Sequence, residues 1–170
     1  LTDGRLMCWG GNGSGQLGDG TLVSKSIPTQ VSGLTSGVID VAAGAAHTCA
    51  LRTPGRVWCW GANGVGQVGS GSNTPSRYTT PYEIAAFSGV TSLSAGNDFS
   101  CMVAGGAARC WGNNLNGQLG DNSTINKYNP VAVSGLTAGV STVSVGSSHA
   151  CAVMTAGGIK CWGDGASGKL

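Results

Sequence analysis

The stretch "HTCALRTPGRVWCWG" (residues 47–61) decides the fold, because it places one cysteine on each side of a short Pro-Gly turn. Two further stretches repeat the arrangement, "SCMVAGGAARCWG" (100–112) and "ACAVMTAGGIKCWG" (150–163). Two short apolar arms around a turn predict a β-hairpin, with one cysteine on each strand. Metal sites, redox sites and structural disulfides are the three possible interpretations of this pattern.

A regular internal repeat organises the whole chain. The tripeptide Cys-Trp-Gly recurs every 51 residues, beginning at Cys8, Cys59, Cys110 and Cys161. Each copy is followed by a related glycine-rich loop, of which "GNGSGQLGDG" (11–20) is the first. A period of this length predicts a stacked or radial repeat architecture. Within one period we expect four strands, over residues 38–43, 47–51, 56–60 and about 82–86.

The predicted strands carry apolar or small residues on both faces. A sheet that packs between two neighbouring sheets, as a propeller blade does, must be apolar on both faces. A one-sided sandwich would alternate more cleanly between apolar and polar residues. The fold class is therefore all-β, a β-propeller of four-stranded blades with about three and a third repeats of 51 residues. All repeats belong to one propeller domain: residues 1–37 are the C-terminal part of a first blade repeat, 38–89 the second repeat, 90–139 the third, and 140–170 the start of a fourth.

Composition narrows the classes of partner. Charged residues make up 9% of the chain, the net charge is +2, and no block of basic residues occurs. A nucleic acid or an anionic membrane is therefore not an expected partner. No apolar run approaches the roughly eighteen residues of a membrane span, so we expect no membrane insertion. The sequence begins without a signal peptide or an initiator methionine, and we expect it to be a mature or excised piece of a longer chain.

The repeat resembles that of the regulator of chromosome condensation family, and the resemblance covers the whole chain. The residues that carry it in the second repeat are Gly44, His47-Thr48, Gly55, Trp60-Gly61, Asn63 and Gly66-Gln67-Val68-Gly69. The resemblance implies a seven-bladed β-propeller closed by strands from both termini. The Cys-Trp-Gly variant is similar to secreted bacterial members of the family. Since members include an exchange factor, a light sensor and an enzyme inhibitor, the fold alone does not select a function.

Six of the seven cysteines form three candidate pairs, each flanking one hairpin: Cys49 with Cys59, Cys101 with Cys110, and Cys151 with Cys161. Adjacent antiparallel strands can bring such residues to disulfide distance. Zinc commonly uses closer spacing and four converging ligands. We therefore favour structural disulfides over unpaired buried thiols and over metal or redox sites. Disulfides indicate an oxidising location, either secreted, periplasmic or at the cell surface.

Cys8 stands where the second member of a pair would stand. Its partner would lie about ten residues before Leu1, by analogy with the other pairs, so we interpret Cys8 as unpaired by truncation. Asn12 and Asn122 each begin a glycosylation sequon. Asn12 aligns with a recurrent loop asparagine, which favours a turn-capping role there.

No catalytic or cofactor motif is recognisable, and the sequence predicts a protein that is not an enzyme. His47 and His149 are the only histidines, and Phe99 fills the same slot in the third repeat, which favours packing over catalysis. The glycine-rich loops lack the features of a phosphate-binding loop. Asp19 and Asp121 fall far short of the ligand set of calcium. We expect no metal and no cofactor.

The segments that vary between repeats are the best candidates for binding. They are polar and contain prolines, and in a propeller such loops project from one end of a rigid scaffold. Tyrosine combined with lysine or arginine is typical of a recognition surface, although solvated loops with incidental charges remain the alternative. The candidate binding residues are Lys25, Arg77, Tyr78, Tyr82, Lys127 and Tyr128.

Three classes of function remain open. We favour a secreted or cell-surface binding module that recognises a protein or a glycan through its variable loops. The alternative is a structural brick of an adhesin, sheath or filament, and an exchange factor or an enzyme is third. Three and a third repeats leave a seven-bladed ring open, so we expect the rest of a longer chain, or other copies, to complete it.

Overall fold

The computed structural model of the protein describes residues 3–170 and consists of thirteen short strands and one turn of 3-10 helix, Ala166–Gly168. The strands are β1 Met7–Gly10, β2 Lys25–Gln30, β3 Val38–Ala43, β4 His47–Arg52, β5 Arg56–Ala62, β6 Arg77–Glu83, β7 Val90–Ala95, β8 Phe99–Ala104, β9 Ala107–Gly112, β10 Lys127–Ala132, β11 Val140–Val145, β12 His149–Met154 and β13 Ile159–Gly163.

The strands form four antiparallel sheets, which are the blades of a propeller. Blade 1 contains β1 and β2, blade 2 contains β3 to β6, blade 3 contains β7 to β10, and blade 4 contains β11 to β13. Within blades 2 and 3 each strand pairs with the next one along the chain. The first strand of blade 3 contacts the first strands of blades 2 and 4, and these strands so mark the inner side of the arrangement. The predicted β-propeller of four-stranded blades is confirmed.

Each cysteine pair lies across the two central strands of a blade. Cys49 is directly opposite Cys59, and the same register joins the pairs of blades 3 and 4. The Cα atoms are 4.1 Å apart in all three pairs, and the structure contains the three disulfides. The hairpin turns set this register, because each is short and closes on a glycine.

The hydrophobic cores lie between neighbouring blades. Trp60 of blade 2 packs with Leu6, Val31 and Leu34 of blade 1. Trp111 of blade 3 belongs to the cluster that joins blades 2 and 3, and a third cluster joins blades 3 and 4. Both faces of the central strands of blades 2 and 3 are thus largely buried, as the strand composition predicts.

The fourth strand of blade 2 differs from the sequence prediction. It runs over Arg77–Glu83 and not over 82–86. Its register with β5 shifts between Cys59 and Gly61, and Pro81 lies in the stretch of β6 that crosses this irregularity. A proline on an outer strand needs no ladder hydrogen bond, so this polar stretch can pair despite its loop-like composition. Among residues 3–170 no helix is long and apolar enough to cross a bilayer.

Candidate binding face

One end of the blades carries all the long loops. The loops 11–24, 63–76 and 113–126 join the third and fourth strands of blades 1 to 3, and we call this end the loop face. The inner turn 44–46 lies at the same end, since the backbone N–H of Ala62 donates to the carbonyl of Ala46, 2.8 Å away. Antiparallel order places every second connection of a blade at this end.

A buried asparagine holds each long loop in shape. Asn12, Asn63 and Asn114 are fully buried, and each side-chain oxygen accepts a hydrogen bond from the backbone N–H five residues later. Each side-chain nitrogen donates to two backbone carbonyls near the far end of the same loop. We call this arrangement the asparagine clamp. It replaces the ladder hydrogen bonds that a loop lacks, so the loop is ordered before any ligand arrives.

The clamp also fixes which side chain each loop presents to solvent. The second carbonyl it binds belongs to Val23, Pro75 and Ile125 in the three loops, at 3.2, 3.0 and 3.1 Å. Because these carbonyls point inward, the side chains point outward, and Val23 and Ile125 are 63% and 69% exposed. Pro75 is exposed as well. The loop face therefore displays an apolar side chain at the same position of three consecutive blades.

Two ion pairs reinforce the clamps of blades 1 and 3. Lys25 Nζ lies 3.7 Å from an oxygen of Asp19, and Lys127 Nζ lies 3.3 Å from an oxygen of Asp121. Burial raises the pKa of the Asp19 carboxyl, but hydrogen bonds from Thr21 and Asn12 outweigh it and leave the pKa below its usual value. Lys25 and Lys127 are thus partly neutralised within the structure.

The glycine-rich part of each loop joins one blade to the next. The indole N–H of Trp60 donates to the carbonyl of Gln16, 2.8 Å away in blade 1. Trp111 and Trp162 make the same bond to Gln67 and Gln118, at 2.8 and 2.9 Å. A buried indole N–H needs such an acceptor. The residues that carry the family resemblance therefore hold the fold together.

The candidate binding residues of the sequence prediction lie on outer strands and not in projecting loops. Lys25, Arg77 and Lys127 begin β2, β6 and β10, and Tyr128 is the second residue of β10. The sequence predicts loops here because these variable segments are polar and contain prolines, whereas the structure pairs them with the neighbouring strand. The six residues are spread over three blades, and whether they bind a partner stays a prediction.

The tyrosines differ in how much ring they present. Tyr78 is half-buried and packs against two of the interblade cores, with its ring centroid 5.3 Å from that of Tyr82. Tyr128 covers Gly66 of the preceding blade, so that part of its ring is in contact with protein. Arg77 is exposed and donates to the carbonyl of Gly13, 3.4 Å away. Of the six, Arg77 is therefore the freest to contact a partner.

Sequence reasoning missed the ring formed by Val23, Pro75 and Ile125. Single exposed apolar residues are common on protein surfaces, so each one alone carried no signal. Their equivalent positions, two residues before Lys25, Arg77 and Lys127, could have revealed them. The clamps also distinguish the two sequons, because Asn12 is fully buried whereas Asn122 is exposed.

The free thiol of Cys8 is partly buried, and the imidazole of His47 is buried. Cys8 is the free cysteine of residues 3–170, and burial raises its pKa to about 11. His47 is buried between blades 2 and 3, where its Nε2 lies 2.8 Å from the hydroxyl oxygen of Ser100. Within the described part of the chain, no three His, Cys, Asp or Glu residues cluster so as to hold a metal ion.

Known proteins with similar sequences include human and plant proteins. The human probable E3 ubiquitin-protein ligase HERC6 is 35% identical over 97% of this chain, which spans 17% of that protein. Human protein RCC2 is 36% identical over 72% of this chain, which spans 24% of it. The mitochondrial RCC1 domain-containing protein RUG3 of Arabidopsis thaliana is 29% identical over 95% of this chain and 38% of its own length. The chain thus spans well under half of the relatives it matches.

Solved structures show the same fold. Yeast RCC1 (Prp20), solved bound to Kap60, superimposes with a TM-score of 0.80 at 24% identity, over 95% of this chain and 40% of that one. Human WBSCR16 gives a TM-score of 0.78 at 24% identity, over 92% and 42% of the two chains. The family model of the Regulator of chromosome condensation (RCC1) repeat matches residues 3–51, 54–103 and 106–153. Each match runs from the outer strands of one blade into the inner strands of the next, and the chain belongs to the RCC1 repeat family.

Proposed function

We propose that this chain is the binding part of a non-catalytic propeller module that holds a protein partner on its loop face. The observation that carries the proposal is the ring of Val23, Pro75 and Ile125, which the asparagine clamps keep exposed in three consecutive blades. The stability of the fold alone gives no reason for an apolar side chain to point outward at the same position of three loops.

The rigidity of these loops supports binding. Ordering a loop on association costs free energy, and the clamps have already ordered these loops in the free protein. Apolar side chains on a preorganised surface are typical of the buried centre of a protein interface. The ion pairs of Lys25 and Lys127 leave Arg77 as the cation best placed to add specificity.

We place the module in an oxidising compartment, either secreted, periplasmic or at a cell surface. The three disulfides support this location, since such bonds rarely persist in reducing compartments. The fold is shared with yeast RCC1, which has been solved with a bound protein, Kap60. That likeness supports a protein as the class of partner, and a glycan is the alternative ligand for the same face.

A structural role in a larger assembly is the second candidate. It is favoured by the rigidity of the array, since a disulfide crosses three of the blades and an indole N–H of each joins it to the preceding blade. An exchange factor or an enzyme is the least supported, because the described residues bring no reactive groups together on the loop face.

A site-specific photo-crosslinking experiment tests the proposal. A benzophenone amino acid is placed at Val23 or at Ile125, the protein is exposed to the extracellular fraction of its source, and captured proteins are identified by mass spectrometry. The matched control is Ile27, which is also 69% exposed but lies on the outer strand β2. We expect capture from the loop positions and not from Ile27.

The captured partner is then purified and its affinity measured. We expect the double variant Val23→Asp, Ile125→Asp to weaken binding by about a hundredfold, the size of effect that charges in an apolar interface centre produce. Equal capture at Ile27, or unchanged affinity of the double variant, contradicts the proposal. Saturable binding on a glycan array by the wild type but not by the variant assigns the face to a glycan.

A further inference from the structure

A cavity opens on the outer side of the propeller, between blades 2 and 3. Its volume is about 420 Å³, which lies within the roughly 300–1,000 Å³ typical of small-molecule sites. The end of β6 and the turn that follows it form one wall, and Asn129 and Pro130 of β10 form the other. Gly69 and Ser70 of the long loop of blade 2 complete the lining. Both blades have their four strands, so neither has a further strand to fill the cavity.

The cavity exists because the turn after β6 differs from its counterparts. Blades 1 and 3 have Val-Ser-Gly-Leu after the outer strand, at 31–34 and 133–136, whereas blade 2 has Ile-Ala-Ala-Phe at 84–87. The third residue of the first two turns is a glycine, and φ is +74° at Gly33 and +70° at Gly135. Ala86 does not have a positive φ, because its Cβ disfavours that conformation. The turn of blade 2 therefore has a different shape.

The different turn leaves a backbone donor and a backbone acceptor unpaired at the cavity. In blades 1 and 3 the N–H of the turn serine donates to a carbonyl of the long loop, at 2.9 Å from Ser32 to Gly18 and at 2.8 Å from Ser134 to Gly120. The corresponding bond would join the N–H of Ala85 to the carbonyl of Gly69, and blade 2 lacks it. Among residues 3–170 neither group has another hydrogen-bond partner, and both residues line the cavity.

A larger side chain at the end of the turn also holds the cavity open. The fourth residue of the turn is Leu34 in blade 1 and Leu136 in blade 3, and both are 2% exposed within the interblade cores. Phe87 takes this position in blade 2, where it is only half-buried and lies with its ring centroid 5.0 Å from the guanidinium carbon of Arg109. Because the ring enters the core only in part, the turn does not close against the loop.

The lining combines aromatic rings, aliphatic groups and uncharged polar groups. Tyr82 is 37% exposed and offers part of its ring, and Phe87 supplies a second ring. The amide of Asn129 can both donate and accept. The hydroxyl of Ser70 donates to the carbonyl of Ser72 at 3.0 Å and so keeps its lone pairs for a ligand. None of the residues that line the cavity carries a charge.

These groups match a neutral sugar better than an apolar or a charged molecule. An apolar ligand would leave the N–H of Ala85 and the carbonyl of Gly69 dry and unpaired, which costs free energy. A charged ligand would lose its hydration and gain no opposite charge. A pyranose ring has a face of C–H groups that packs on aromatic rings, and its hydroxyl groups both donate and accept.

We infer that the cavity between blades 2 and 3 is a binding site for a neutral mono- or disaccharide. One sugar hydroxyl accepts from the N–H of Ala85 and donates to the carbonyl of Gly69, in place of the bond that blades 1 and 3 make directly. The amide of Asn129 binds a second hydroxyl, and the ring packs against Tyr82 and Phe87. The site is distinct from the ring of apolar side chains on the loop face and does not depend on it.

Titration with neutral disaccharides tests the inference. Maltose, cellobiose, lactose and N,N′-diacetylchitobiose are each titrated into the protein by calorimetry, and two-dimensional amide NMR spectra locate the binding site. We expect saturable binding of at least one of them, with the largest shifts at Gly69 and Ala85. Failure of all four to bind overturns the inference, and so do shifts confined to the loop face.

A variant that restores the repeated turn closes the cavity. Ala85→Ser, Ala86→Gly, Phe87→Leu together give blade 2 the Ser-Gly-Leu of blades 1 and 3. Urea unfolding should show no loss of stability, because glycine permits the positive φ and leucine fits the core. The affinity for the disaccharide should fall at least about tenfold. Unchanged affinity in this variant overturns the inference.

The polar contact is tested separately. Asn129→Ala should weaken binding about fivefold, the size expected for one hydrogen bond to a neutral group. Thr80→Ala is the matched control, because Thr80 precedes Pro81 as Asn129 precedes Pro130 but does not line the cavity. Equal weakening by the two variants overturns the inference. The double variant Val23→Asp, Ile125→Asp should bind the disaccharide as the wild type does, and loss of binding there assigns the sugar to the loop face instead.

Discussion

The Nε2 atom of His47 lies 2.8 Å from the hydroxyl oxygen of Ser100, so one hydrogen bond joins the second strand of blade 2 to that of blade 3. Burial lowers the pKa of His47 to about 4, although the charge of Asp98 opposes the shift. The imidazole is therefore neutral in the folded protein at neutral pH. In the next pair of blades Phe99 and Ala150 hold the same two positions.

Acid should destabilise the protein through this histidine. The unfolded chain binds the proton with a pKa near 6.5 and the folded chain only near 4, so stability is constant above pH 6.5 and falls as the pH drops toward 4. The loss should reach about 3 kcal/mol. Urea unfolding at pH 7, 5.5 and 4.5 measures it. The double variant His47→Phe, Ser100→Ala copies the next blade pair, and it should lose less stability between pH 7 and 4.5 than the wild type. Equal losses of stability in the wild type and in the double variant contradict the assignment of this acid sensitivity to His47.

The asparagine clamp should contribute more to the free energy of unfolding than an exposed asparagine of the same loop does. Asn63→Ala removes the acceptor of the Val68 N–H and the donor to two carbonyls, which leaves buried polar groups unpaired. We expect a loss of roughly 2–3 kcal/mol in the free energy of unfolding, measured by urea denaturation. Asn73→Ala, an exposed site in that loop, is the control and should change stability by less than about 0.5 kcal/mol. Similar losses of stability in both variants contradict a stabilising role for the clamp.

A glycine of the same loop should be irreplaceable for steric reasons. Gly69 has φ +73°, and a Cβ there would lie 3.0 Å from Trp111 and from Ile84. Gly69→Ala should therefore destabilise by more than the roughly 1–2 kcal/mol of the left-handed backbone alone. Gly64→Ala is the matched control, because its φ is ordinary and nothing lies within 4 Å. Thermal unfolding compares the two, and the melting temperature should fall for Gly69→Ala only.

The three disulfides should differ in their resistance to reduction. Cys161 is exposed in blade 4, whereas the four cysteines of blades 2 and 3 are fully buried. Mild reductant followed by alkylation under native conditions should label Cys151 and Cys161 first, as mapped by mass spectrometry. Cys8 should label slowly at pH 8, because its raised pKa leaves little thiolate. Simultaneous labelling of all three pairs indicates global unfolding and contradicts the prediction.

The amino-acid sequence by itself determined the repeat, the strands and the fold class of this protein. The 51-residue period and the hairpin arms are local patterns, and local patterns fix backbone geometry and which faces are apolar. The same local reading misplaced the fourth strand, because a proline-containing polar segment has the composition of a loop until a neighbouring strand pairs with it.

Only the tertiary structure decided which side chains are exposed on the loop face. Lys25 and Lys127 look free in the sequence, yet Asp19 and Asp121 lie beside them in the folded loops. Val23 and Ile125 look incidental, yet the buried Asn12 and Asn114 hold their carbonyls inward and turn their side chains to solvent. The sequence encodes the period of the blades, but exposure depends on hydrogen bonds that span each loop and on contacts between blades, and those exist only once the blades pack together.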